Sequence, residues 1–170
     1  MDTYDWSQFH LRMYYLAPRA DVFRRFATPA GLESFFIHEA RHFGPDGTRR
    51  ESNETIQTGD RYEWTYVHDF GHDGVFERVV EGSEIRFTFG PMTVDIRFRD
   101  VPGATEVHLH QTGCATEDPD RAWHHVNCRS CWIYFLTTLK SQLEHGIDLR
   151  DRNPETADAI AVGYNRKPRQ

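Results

Sequence analysis

Between residues 84 and 112, apolar and polar side chains alternate with a period of two. Ile85, Phe87 and Phe89 share one face, as do Val94, Ile96 and Phe98, and then Val107, Leu109 and Gln111. The opposite faces carry Arg86, Asp95, Arg97, Arg99, Glu106, His108 and His110. This is the period of antiparallel strands with one face on a core and the other in water. It predicts strands over residues 84–89, 92–100 and 105–112, with Pro102-Gly103 turning the last pair. Upstream, residues 61–67 and 75–81 read as two strands joined by a turn at 68–74, and residues 9–15 and 37–43 as two earlier ones.

Elsewhere the spacing lengthens to three and four. Val22, Phe23 and Phe26 follow Pro18 at helical spacing. Thr28 then caps a restart in which Pro29 takes the first position and Leu32, Phe35 and Phe36 form the stripe. The longest helical segment runs from Asp118-Pro119, read as cap and first position, to a stop at Gly146. At 1.5 Å per residue it is about 40 Å long, enough to cross a whole sheet. Cys128, Trp132, Phe135, Leu136, Leu139 and Leu143 fall on one of its faces. Residues 44–60 are polar and turn-rich, and a tail from 147 holds a short helix from Asn153-Pro154 to Val162.

The predicted class is therefore α+β: a strongly curved antiparallel sheet of six to seven strands, wrapped around one long C-terminal helix. Two short helices separate the first two strands. One domain spans residues 1–150 and a tail spans 151–170, as suits a chain of 170 residues.

A net charge of −6 argues against nucleic acid, which needs a basic stripe. The longest apolar run, Cys131 to Leu136, is too short for membrane insertion, and no secretory segment opens the chain. Three cysteines make no disulfide framework, so a reduced cytoplasm is expected. Aromatic residues reach 14%, more than a core of this size needs, which suits a ring-lined cavity.

The stretch HHVNCRSCW, residues 124–132, has the look of a metal or redox site. Wound on a helix, however, four ligands strung over two turns do not converge on one ion, and no second ligand pair follows. A redox C-x-x-C would open a helix after a parallel strand, not lie mid-helix. Cys128 and Trp132 are therefore read as core, with no metal and no cofactor.

Tyr62, Trp64 and Tyr66 alternate on one face; Trp64, Tyr66, Gln111 and Trp132 either line a pocket or fill a core. The register of the strand over residues 37–43 stays open, with either Glu39 and Arg41 or His38, Ala40 and His42 inward. An acid–base pair such as Glu39 with His125 is conceivable, but no nucleophile elbow, phosphate loop or H-E-x-x-H occurs, and catalytic residues are not assigned.

Three patches resemble a known family. The first is Ala17-Pro18, Val22-Phe23, Phe26-Ala27-Thr28-Pro29, Leu32 and Phe35-Phe36, with Phe35 where the family usually has Trp. The second is Gly103-Ala104-Thr105-Glu106-Val107 through Leu109 and Gln111 to Gly113. The third is Trp132, Leu136, Leu139-Lys140, Leu143-Glu144 and Gly146. Together they are similar to the SRPBCC superfamily, the START-like or helix-grip fold, and within it to the branch named for the activator of the Hsp90 ATPase. The resemblance implies a cavity between sheet and C-terminal helix and a small hydrophobic partner, lipid-like or aromatic. The expected pocket is Trp64, Tyr66, Phe87, Phe98, Gln111, His125, Trp132 and Phe135. A cyclase or hydrolase on a similar molecule, and a stress-related chaperone-cofactor-like module, are the alternatives. A homodimer is compatible, whereas a chaperone partner lacks the second domain that the eukaryotic co-chaperone uses. One fold hosts many activities, so the site must decide.

Overall fold

A computed structural model describes residues 4–66, 70–151 and 153. The chain forms β1 (Gln8–Tyr15), α1 (Arg19–Ala27), α2 (Pro29–Phe35), β2 (Glu39–Phe43), β3 (Arg61–Thr65), β4 (Gly71–Val80), β5 (Glu84–Phe89), β6 (Met92–Val101) and β7 (Ala104–Thr112). A π-helical segment, Ala122–Asn127, then leads into α3 (Cys128–His145). Among the described residues the sheet has seven strands in the order β1-β7-β6-β5-β4-β3-β2, each neighbouring pair antiparallel. The first strand thus closes beside the last, and the helices cover the concave face: the helix-grip arrangement that the periodicity implied.

The alternation places Ile85, Phe87, Val94, Ile96, Val107, Leu109 and Gln111 in the core. Against them pack Phe23 and Phe26 of α1, Leu32 and Phe35 of α2, and Trp132, Leu136 and Leu139 of α3. Thr28 caps α2 as its spacing implied, its hydroxyl accepting from Gly31 N at 3.0 Å. Gly146 ends α3 in the left-handed conformation, φ 71°, which a residue with a side chain resists.

Three local expectations are corrected. The turn expected over 68–74 is shorter, because β4 pairs from Gly71, opposite Thr65. Its glycines signal close approach: a Cβ on Gly74 would lie 2.7 Å from the Tyr62 hydroxyl, whose ring crosses there to reach Thr88 O. Asp118 is no helix cap; its carboxylate grips Arg121 at 3.0 and 3.2 Å, and six residues of π-helix precede α3. Glu106, placed on the wet face, is buried because Tyr14 and Arg99 fold over it at 2.9 and 3.0 Å. The tail helix expected from Asn153-Pro154 lies outside the described residues.

At each sheet edge some of the outward backbone groups are taken by partners from outside the named strands, which shortens the open ladder that invites strand addition. At β1, Lys140 Nζ donates to Tyr14 O and Glu144 accepts from Leu16 N. At β2, Glu33 accepts from Ala40 N and Arg50 N donates to His42 O. Arg50 in turn is clamped on the fully buried Asp60 carboxylate, with two bonds of 2.9 Å.

No helix among the described residues is long and apolar enough to cross a membrane.

Candidate functional site

Among the described residues, a void of about 10 Å³, room for about one water, lies between sheet and helices. Its walls come from the helices on one side (Phe26, Leu32, Phe36, Trp132) and from the sheet on the other (Trp64, Phe76, Ile85, Phe87, Ile96).

Phe36, the residue that ends α2, is the wedge. Its ring stacks on Trp132 with centroids 4.7 Å apart and meets Trp64, Tyr66 and Phe135 edge-on at 5.6, 5.7 and 5.1 Å. Offset stacks and edge contacts of this kind add to the burial of the ring itself. α2 is held over α3 by a polar strap. Gln142 Nε2 donates to Ser34 O, Arg150 donates to the carbonyls of Glu33, Ser34 and Ile37, and Tyr134 holds Leu149 O at 2.8 Å. These bonds satisfy carbonyls that the end of α2 leaves free.

Two indoles in the walls are anchored. Trp132 Nε1 donates to Gln111 Oε1 at 2.9 Å, and the Gln111 amide nitrogen reaches Met92 Sδ at 2.9 Å and His124 O at 3.3 Å. Gln111 is thus spent on positioning Trp132. Trp64 Nε1 donates to His42 Nε2 at 3.1 Å, which puts the imidazole proton on Nδ1. Burial brings His42 down to about 4, so it stands neutral at physiological pH. Its Nδ1 finds no partner among the described residues.

The hydroxyl of Tyr66 is likewise buried without a partner among the described residues. Tyr66 follows β3 and lies at the end of the grip where α3 begins, near Phe70 and His72. Burial raises its phenol well above the ordinary range, so it is a neutral donor.

Of the eight side chains expected to form a pocket, Trp64, Phe87 and Trp132 line the void. Tyr66 and Phe135 close on Phe36 around it, and Gln111 stands behind Trp132. Phe98 turns to α1, against Phe23 and Phe26 at 5.2 and 5.3 Å. His125 points away from the void: its Nδ1 meets Trp6 O at 2.9 Å and its Nε2 the Tyr4 hydroxyl at 2.8 Å. The π-helical segment is the reason. Its wider turn changes the phase of residues 122–127 relative to α3, so α-helical spacing across it does not hold.

The same change disperses the HHVNCRSCW set. His124 Nδ1 accepts from Ala115 N, His125 is spent on the N-terminal segment, and Cys131 Sγ rests 3.8 Å from Asn127 Oδ1. The register of β2 is also settled. Ala40 and His42 face inward, His38 is exposed, and Glu39 and Arg41 face out, where Arg41 meets Glu63 at 3.2 Å. A Glu39–His125 pair is thereby ruled out, since the two lie on opposite sides of the sheet. Sequence reasoning missed two residues of the site. Phe36 was counted as one more member of the α2 stripe, and His42 gave no signal beyond its possible inward register.

None of the curated proteins matches the chain. Solved structures share the fold. SSP2350 of Staphylococcus saprophyticus is 24% identical, with 84% of this chain and 96% of that one covered and a TM-score of 0.66. The Aha1 dimer of Colwellia psychrerythraea is 16% identical, over 82% and 97%, with a TM-score of 0.64. DynU16, a protein in the dynemicin biosynthetic locus, is 14% identical, over 84% and 49%, with a TM-score of 0.65. These likenesses establish the fold alone. Residues 16–144, from the end of β1 to the last turn of α3, match a sequence family as a whole, and the chain belongs to that family, the Activator of Hsp90 ATPase homolog 1-like proteins.

Proposed function

We propose that the protein is a non-enzymatic binding domain that takes a small hydrophobic molecule, aromatic or lipid-like, between the curved sheet and α3. The observation that carries this reading is the Phe36 wedge. A ring at the end of a short helix fills the centre of the grip, over a residual void walled by apolar side chains. A drug-sized ligand needs about 300 Å³ or more, so binding requires Phe36 and the end of α2 to swing out. The strap from Gln142, Tyr134 and Arg150 is what such a movement must release. A cyclase or hydrolase would need an acid–base pair reaching the void. In the polar pairs nearest to it, Trp64 Nε1 occupies His42 Nε2 and Trp132 Nε1 occupies Gln111 Oε1, so neither pair presents a free base there. The reading takes a reduced cytoplasm as the compartment, in keeping with free Cys114, Cys128 and Cys131.

Native mass spectrometry and thermal-shift screening against neutral lipids, flavonoids and polyketide-like aromatics test the proposal. Stoichiometric adducts that raise the melting temperature support it, and silence across the panel at millimolar concentration refutes it. The small size of the void between sheet and helices favours one second reading, a stress-related interaction module of the chaperone-cofactor kind. That reading predicts stimulation of Hsp90 ATPase by the purified chain in a direct assay.

A further inference from the structure

The Tyr66 hydroxyl stands out in the interior as a donor with no described acceptor. Its ring is caged by Phe36 at 5.7 Å, Phe70 at 5.8 Å and His72 at 5.8 Å. Burial keeps the thiols of Cys128 and Cys131 protonated. A buried hydroxyl without an acceptor is costly, and native proteins seldom leave one so. Phe36 both lines the void and packs edge-on against the Tyr66 ring, so a ligand that displaces the Phe36 ring takes the void and comes against Tyr66.

The charges around this place bear on what the ligand is. None of the nine side chains walling the void is ionic. The buried guanidiniums of Arg50 and Arg150 are already held by Asp60 and Asp148 at 2.9 Å. Burial lowers the pKa of His72, which leaves that imidazole uncharged at neutral pH. An anion entering here would lose its water and meet no counter-charge.

We infer that Tyr66 takes the carbonyl or ether oxygen of an uncharged aromatic ligand, and that the same site turns away the carboxylate of an otherwise matched molecule. This rests on the ligand-binding reading above and gives it a ligand class.

The test uses the full chain at pH 7.5 and three probes of equal ring size: 2-acetylnaphthalene, naphthalene and 2-naphthoate. Titrations by NMR on the wild type and on Tyr66→Phe give a double-mutant comparison. The ketone is expected to bind the wild type, with the carboxylate weaker by about a hundredfold or more. Tyr66→Phe should weaken the ketone by roughly three- to tenfold and leave naphthalene within about twofold. The carbonyl stretch of ¹³C-labelled ketone supplies a readout that loss of stability does not mimic. It should shift to lower frequency on the wild type and not on Tyr66→Phe. If ketone and naphthalene respond alike to the substitution, or if the carboxylate binds as tightly as the ketone, the inference falls while the binding reading stands. If none of the three binds the wild type, the inference falls, and the lipid, flavonoid and polyketide panel above decides the binding reading separately.

Discussion

Replacing the wedge by alanine is the most revealing single change. Phe36 is 5% exposed and touches five other rings. Phe36→Ala vacates roughly 100 Å³, which at about 24 cal/mol per Å³ costs about 2.4 kcal/mol if the site holds its shape. The lost transfer of the ring adds about 2 kcal/mol, for a total of about 4 kcal/mol before any collapse. The new hole joins the existing void of about 10 Å³ and is apolar throughout, so it should stay dry and accept benzene. At ten times its dissociation constant, benzene should return about 1.4 kcal/mol to the variant. Urea unfolding followed by tryptophan fluorescence, with and without benzene, measures both quantities. A loss below about 1 kcal/mol would show that the rings close over the gap and that Phe36 props nothing open. Equal stabilisation of variant and wild type by benzene would refute the placement of the cavity.

Other outcomes follow from the same contacts. His42 is held neutral, at about 4 against an ordinary 6.5, so the unfolded chain takes up its proton first as pH falls. Its stabilising contribution is whole above 6.5 and drains away towards pH 4, amounting to about 3 kcal/mol. Urea midpoints at pH 7 and 4.5 should therefore differ more in the wild type than in His42→Gln. Gln111→Leu strands the Trp132 indole N–H in the core and should cost about 1–3 kcal/mol, read as a fall in melting temperature. Arg150→Ala frees the carbonyls at the end of α2 and should cost about 1.5–3 kcal/mol. Faster hydrogen exchange confined to α2 and the start of β2 would identify the strap as the element lost.

The fold was legible where one physical requirement dominated. Ile85, Phe87 and Phe89 alternate because one face of β5 is dry, and Thr28-Pro29 and Gly146 mark helix ends because caps and left-handed stops admit few residue types. Legibility failed where partners came from far along the chain. The register of β2 could not be read, because Glu39, Arg41, His38 and His42 are all polar. The acceptor role of His42 exists only once Trp64 lies beside it. His125 went astray because a π-helical segment leaves no periodic trace, and its partners Tyr4 and Trp6 lie some 120 positions away. Phe36 looked like any helix-stripe phenylalanine; its role as wedge depends on Trp132, which reaches it from α3.

The central claim is that a small uncharged aromatic molecule enters between sheet and α3 by displacing Phe36. The most direct measurement is a titration of the ¹⁵N-labelled full chain with 2-acetylnaphthalene, reading the indole Nε1–H resonances of Trp64 and Trp132. Both groups wall the void and both are hydrogen-bonded in the closed grip. The account predicts that both resonances move and saturate together. Fixed indole resonances at millimolar ligand would contradict it.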